Sequence, residues 1–184
     1  MTPDDFDALF DTITTSAFRF ESLAVYAVDE EDSDVAAWRE GRAMAERSVR
    51  TDPWLARIAR QTIVDGIDWC RVRLVEHPLS WYLRFEVPGY VESQAAGERI
   101  LLTDSRCGWE GGDFWLFDRG RPSAHAVLQS YDDTGSPTAF DHVTGSPMLA
   151  QMERATARLI QSGTVLNRWM VDNDAALRDG GRLA

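Results

Sequence analysis

The chain has 184 residues, 44% of them hydrophobic, which is enough to bury one core and too short to build two. All 19 of its basic side chains are arginine, so a Schiff-base amine and a phosphate-loop lysine are both excluded. Thirty carboxylates against those guanidiniums leave a formal charge of -11, which repels polyanions and opposes the counterion release that drives nucleic-acid binding. Two cysteines, Cys70 and Cys107, fall far below the density of a disulfide scaffold and are expected to be reduced.

Thr2-Pro-Asp-Asp reads as a helix start, with Pro3 in the first helical position and Phe6, Leu9, Phe10 and Ile13 on one face. This acidic opening is unlike a basic leader, and no apolar run approaches the ~20 residues of a membrane span. A soluble, cytoplasmic protein with no membrane partner is therefore expected. Phe18, Phe20, Leu23, Val25 and Tyr26 predict an extended stretch, closed by a loop over the charged run Asp29 to Asp34. Asp34 to Arg50 reads as a weak helix. A stronger one starts at Asp52-Pro53, where Asp52 caps, Leu55, Ile58, Ala59 and Thr62 form the apolar stripe, and Gly66 stops it.

Between Trp69 and Val75 the chain alternates, with Cys70, Val72 and Leu74 on one side and Arg71 and Arg73 on the other, as in a half-buried central strand. Leu79 to Val87 fits two periods: Leu79, Tyr82, Leu83 and Val87 suit a helix, while Trp81, Leu83, Phe85 and Val87 suit a strand. Pro88-Gly89 is expected to interrupt this segment, and Gly97 to end its resumption over Tyr90 to Ala96 before a strand at Arg99 to Thr103. After a glycine-rich loop around Trp109, strands are predicted at Asp113 to Asp118 and Ala124 to Tyr131, with a shorter one near Ala139 to Val143. Ser146-Pro147 caps a helix bearing Leu149, Met152, Ala155, Thr156, Leu159 and Ile160, which Gly163 terminates. Val165, Leu166, Trp169 and Met170 mark a last helical segment, and the tail from Arg178 is expected to fray.

These elements predict an α+β fold: an antiparallel-rich mixed sheet with a β-α-β unit and packed N- and C-terminal helices. The chain reads as a single domain, 1–184. It has a helical N-terminal portion over about 1–66, an α/β core over about 67–163, and a C-terminal helix and tail over 164–184.

The blocks Arg71 to Glu86, Ala95 to Asp104 and Asp113 to Asp118 together resemble an actinobacterial family of unknown function, whose members are often encoded beside or fused to helix-turn-helix regulators. The resemblance implies a helix for Leu79 to Val87 and a helix-turn-helix regulator as partner, and it brings no catalytic residues with it. The order of elements also loosely resembles half of a phospholipase D-like domain. The His-x-Lys signature of that fold is missing, since Ala126 and Val127 follow His125.

His77, His125 and His142, with the two cysteines, show no metal-ligand spacing, so no metal or other cofactor is expected. Ser80 near His77 and Ser123 near His125 lack a nucleophile elbow, and Ser80 is better explained as a helix cap. Arg71, Arg73, Arg84 and Arg99 have the forked geometry that grips anions, although Glu76, Glu86, Glu98 and Asp104 are near enough in sequence to pair with them. Seven tryptophans are many for this length, and Trp81, Trp109 and Trp115 fall within or beside the family-like blocks.

Two functions follow from these patterns. In the first, a non-enzymatic module regulates transcription through protein-protein interaction, meeting a basic regulator with its acidic surface (Asp4, Asp5, Asp7, Asp11 and Asp29 to Asp34) and an aromatic patch. In the second, a small-molecule or anion sensor, or a minor hydrolase, uses a cleft lined by Trp81, Arg84, Glu86 and Trp115. The candidate binding residues are Arg71, Arg73, Trp81, Arg84, Glu86, Trp109 and Trp115.

Overall fold

In the computed structural model, which describes residues 1–28, 31–45 and 47–178, four helices begin on the side chains that the sequence supplies as caps. In α1 (Pro3–Leu9), Thr2 and Asp5 hydrogen-bond each other's backbone in a reciprocal box. Asp52 caps α3 (Pro53–Arg60), Ser80 caps α4 (Trp81–Ala96) and Ser146 caps α5 (Pro147–Ser162), each accepting from N–H groups that the first turn leaves free. The strands are β1 (Ser16–Glu21), β2 (Asp68–Leu74), β3 (Arg99–Thr103), β4 (Asp113–Phe117), β5 (His125–Tyr131), β6 (Pro137–Thr144) and β7 (Thr164–Val165). Shorter helices α2 (Asp32–Arg39), α6 (Leu166–Asp172) and α7 (Asp174–Arg178), and a π-helical turn at Gln61–Asp65 that continues α3 as far as Gly66, complete the described elements.

The architecture is α+β, with one seven-stranded mixed sheet in the order β6-β5-β4-β1-β2-β3-β7. β1, β2 and β3 run parallel and the other pairings are antiparallel. The β2-α4-β3 unit supplies one parallel connection.

Alternation along the strands gives the sheet two unlike faces. On one face Phe18, Phe20, Val72, Phe114, Leu116 and Ala126 pack beneath Met152, Ala155 and Leu159 of α5. The other face carries two separate apolar clusters. One joins Ala17, Trp69, Trp115 and Phe117 to Phe10 of the segment after α1 and to Leu55 and Ile58 of α3; the second joins Ile100 and Leu102 to Leu83, Val87 and Tyr90 of α4 and to Leu166 and Trp169 of α6. Between them the register aligns Arg19 with Arg71 and Glu21 with Arg73, leaving a charged strip in the middle of the sheet.

Several expectations are corrected. The run expected as a loop instead opens α2 at Asp32, with Asp32 and Asp34 in its first turn, where carboxylates favour the positive end of the helix; Asp29 and Glu30 lie outside the described residues. The weak helix over Asp34 to Arg50 ends at Arg39, because Gly41 takes a left-handed backbone at φ 67. The extended stretch leaves the sheet after Glu21, so Leu23, Val25 and Tyr26 are not in a strand. β2 is buried on both faces rather than half-buried, Arg71 and Arg73 included. Pro88-Gly89 does not interrupt α4: proline removes one backbone bond, but burial of Phe85, Val87 and Tyr90 around it holds the helix together. The frayed tail beyond Arg178 lies outside the described residues.

Trp109 belongs to the α5 face. It is 4% exposed, stacks edge-on to Phe114 at 5.1 Å, and its indole N–H donates to the Gly112 carbonyl at 2.9 Å. A Cβ at Gly111 would come within 2.3 Å of this ring, which has no room to retreat. Gly111→Ala is therefore expected to cost about 1–3 kcal/mol through overpacking, seen as a lowered urea midpoint with an unchanged slope.

Candidate functional site

Arg19 and Arg71 of the charged strip lie on the floor of a cleft of about 1100 Å³. Arg19, Arg71, Trp115 and Gln129 line it from the sheet, Phe6, Phe10, Trp54 and Arg57 from α1, α3 and their flanks, and Phe85, Glu86 and Tyr90 from α4. Glu31, Asp34, Met44 and Arg47 close the remaining side. α3 and α4 cover neighbouring parts of the same sheet face and meet where Ala96 of α4 joins the α3 cluster; the cleft opens over the charged strip between their two apolar clusters.

Its floor is an ion network. Arg71 places Nε and Nη2 on the two oxygens of Glu98, at 3.0 and 3.2 Å, and Nη1 on Glu21 at 3.0 Å. Arg19 reaches the same Glu21 oxygen at 2.9 Å and lies 5.1 Å from the centre of the Trp115 ring. The Tyr90 hydroxyl donates to the second Glu21 oxygen at 3.1 Å. Behind them, Arg73 approaches Glu86 Oε2 at 3.3 Å and donates to the Tyr26 hydroxyl at 3.2 Å; that hydroxyl in turn donates to Asp113, which also accepts from Ser22.

The two central carboxylates diverge in acidity. Burial alone would raise Glu21, but the guanidiniums of Arg19, Arg71 and Arg73 and the Tyr90 hydroxyl pull it down to about 2. Burial also dominates at Glu86; with Arg73 as its main counterweight and the Glu21 charge opposing, it is pushed up to about 7. Three buried atoms in and beside the strip, Arg19 Nε, Arg73 Nε and Glu86 Oε2, have no hydrogen-bond partner. Buried ion networks add little net stability, and orphaned polar atoms reduce it, so the strip is poorly explained as scaffolding.

The candidate residues separate in space. Arg71, Glu86 and Trp115 line the cleft, and Arg73 stands directly behind Glu86. Trp81 lies away from it, tilted against Trp38 and under the Arg39 guanidinium at 4.2 Å. Arg84 projects from α4 to the Ala176 carbonyl at 3.1 Å, and Trp109 is on the far side of the sheet. Glu86 and Glu98 are the partners of Arg73 and Arg71, whereas Arg99 pairs with Asp68 at 3.4 Å. Arg19, Glu21, Tyr26 and Tyr90 were not among the candidates, and Glu31 and Asp34 entered only as part of the acidic run Asp29 to Asp34 and not as cleft residues. Arg19 and Glu21 had a readable signal, since Ala17-Phe-Arg-Phe-Glu21 alternates just as β2 does.

Elsewhere both thiols are free, and burial first of all pushes Cys70 up to about 12, which makes it a poor nucleophile. Among the described residues no three His, Cys, Asp or Glu side chains are grouped to hold a metal ion, and no helix is long and apolar enough to cross a membrane.

Fold and site together define an α+β domain with a large amphipathic cleft over a buried Arg/Glu lattice. The chain belongs to the family described as Domain of unknown function (DUF6879), whose model matches residues 4–171. No curated protein matches it.

Proposed function

We propose that this chain is a regulatory small-molecule-binding domain: the cleft takes up a compact organic ligand, and its occupancy is read by a helix-turn-helix regulator in the cytoplasm. The observation that carries the first part is the cleft itself, large enough for a metabolite, walled by aromatic rings and floored by charged groups with unmet hydrogen-bonding capacity. The partner rests on other grounds, namely the resemblance of Arg71 to Asp118 to an actinobacterial family whose members neighbour such regulators, and a formal charge of -11 that suits a basic partner.

A metabolite library screened by thermal shift tests the first part. A true ligand at a hundred times its Kd raises stability by about 2.7 kcal/mol, which for a domain of this size moves the melting temperature by roughly 5–11 °C. The gain is expected to disappear in Trp115→Ala, and a library with no stabilising compound would remove the reading. For the partner, pull-down by a regulator encoded nearby is expected at low salt and is expected to weaken as salt rises. No capture at low salt would leave the chain without that role.

A further inference from the structure

The charged groups around the cleft are unequally matched. Of the four guanidiniums that line it, Arg57 grips Asp7 at 2.6 and 3.1 Å, Arg47 reaches Asp52 at 2.8 Å and Glu92 at 3.9 Å, Arg71 is engaged at Nε and both Nη by Glu98 and Glu21, and Arg19 pairs with Glu21 through Nη2 with its buried Nε left without a hydrogen bond. Of the carboxylates on the lining, Asp7, Asp52 and Glu92 take up Arg57 and Arg47, and Glu31, Asp34 and Glu86 are less well met. Among the described residues Glu31 has the Tyr82 hydroxyl at 2.7 Å and Asp34 the Ala45 N–H at 3.3 Å, and neither has a guanidinium within ion-pair distance. Glu86 is the sharpest case: its side chain is only 10% exposed, it lines the cleft, and its Oε2 lies beside Arg73 with no hydrogen bond formed.

An anion entering this space would find most of the donors engaged. A cation would find carboxylates with capacity left, and aromatic walls whose faces are negative. The volume far exceeds what a bare metal ion needs, and no metal-type grouping of ligands is present among the described residues. On the reading that the cleft binds a small molecule, we propose that its ligand is an organic cation, a protonated amine on an apolar or aromatic body, with the charge held by Glu86 and Glu31 and the body against Phe85, Tyr90 and Trp115.

Acidity supports this seat. Burial raises both Glu31 and Glu86, and each is in the field of further carboxylates, so a bound ammonium would draw both towards ionisation. Amine binding near neutrality is then coupled to proton release, and affinity falls about tenfold for each pH unit below the Glu86 value.

The test is calorimetry on the intact chain with matched probes: phenethylamine and tryptamine, the neutral alcohols of the same shapes, and the corresponding carboxylates. Each amine is expected to bind at least about tenfold more tightly than its alcohol, as loss of one charged hydrogen bond implies, and the carboxylates more weakly still. Glu86→Gln and Glu31→Gln are each expected to remove most of the preference for amine over alcohol, read as the ratio of the two affinities in the same variant. Equal binding of amine and alcohol, a preference for carboxylates, or an amine preference that survives both substitutions overturns the cation. If one of those results is found and a neutral or anionic compound still binds and is lost in Trp115→Ala, the cleft stands as a receptor with another ligand class. If no probe and no library compound binds, both readings fall.

Discussion

Replacing Arg71 by methionine is expected to lower the stability of the domain by about 3–5 kcal/mol, the range seen when one partner is taken from a buried ion pair. Methionine keeps the apolar length of the side chain, so the loss reports the charge and its hydrogen bonds rather than a cavity. Arg71 is 6% exposed and satisfies both oxygens of Glu98, while Glu21 would retain Arg19 and the Tyr90 hydroxyl. The stranded group is therefore Glu98, 1% exposed and with no other hydrogen-bonding side chain among the described residues. Urea unfolding measures the loss. Pairing Arg71→Met with Glu98→Met is expected to restore a substantial part of it, because no uncompensated carboxylate is then left behind. A single-variant loss below about 1 kcal/mol, or a pair that simply adds the two single effects, would show that the strip is solvated and not a closed lattice.

Glu86→Gln is expected to change stability in the opposite direction, with a dependence on pH. A carboxyl pushed up to about 7 in the fold, from an ordinary value of 4.5, leaves stability intact below pH 4.5. Between those values the unfolded chain ionises first, and stability falls until the folded group ionises too, a loss of about 3 kcal/mol from this group alone. Glutamine cannot ionise, so the variant is expected to match the parent near pH 4.5, where the parent carboxyl is protonated in the fold, and to exceed it by up to about 3 kcal/mol at pH 8. Glu21 has the reverse sign: pulled down to about 2, it contributes stability above pH 4.5 that is lost as pH falls towards 2. Melting temperatures of parent and variant from pH 4 to 8 separate the two. A difference between them that stays flat with pH would mean that the fold leaves Glu86 at its ordinary acidity.

Local chemistry made much of this fold legible. Thr2, Asp52, Ser80 and Ser146 announce four helix starts because a short polar side chain ahead of an apolar stripe can satisfy free N–H groups wherever the helix later packs. The strands of the β2-α4-β3 unit and of the β4-β5-β6 meander were readable from alternation and turn residues. The site was only partly readable. Arg71 and Glu86 drew notice for their residue types, and Trp115 for its size, but Trp81, Arg84 and Trp109 shared those features and stand elsewhere. Residue type says what a side chain is able to do, and it does not say on which side of a sheet another element will leave a gap.

What the chain determined by itself was therefore its helix caps, its strand alternation, its lack of lysine and its acidity, all properties of neighbouring residues or of composition. Tertiary structure decided the rest. Parallel pairing of β1 with β2 set Arg19 and Glu21 beside Arg71 and Arg73, and the apolar clusters under α3 and under α4 fall on either side of that row. The physical reason is that burial and charge pairing act through space across long stretches of chain, so the acidity of Glu86 and the engagement of Arg71 exist only once the sheet has closed around them.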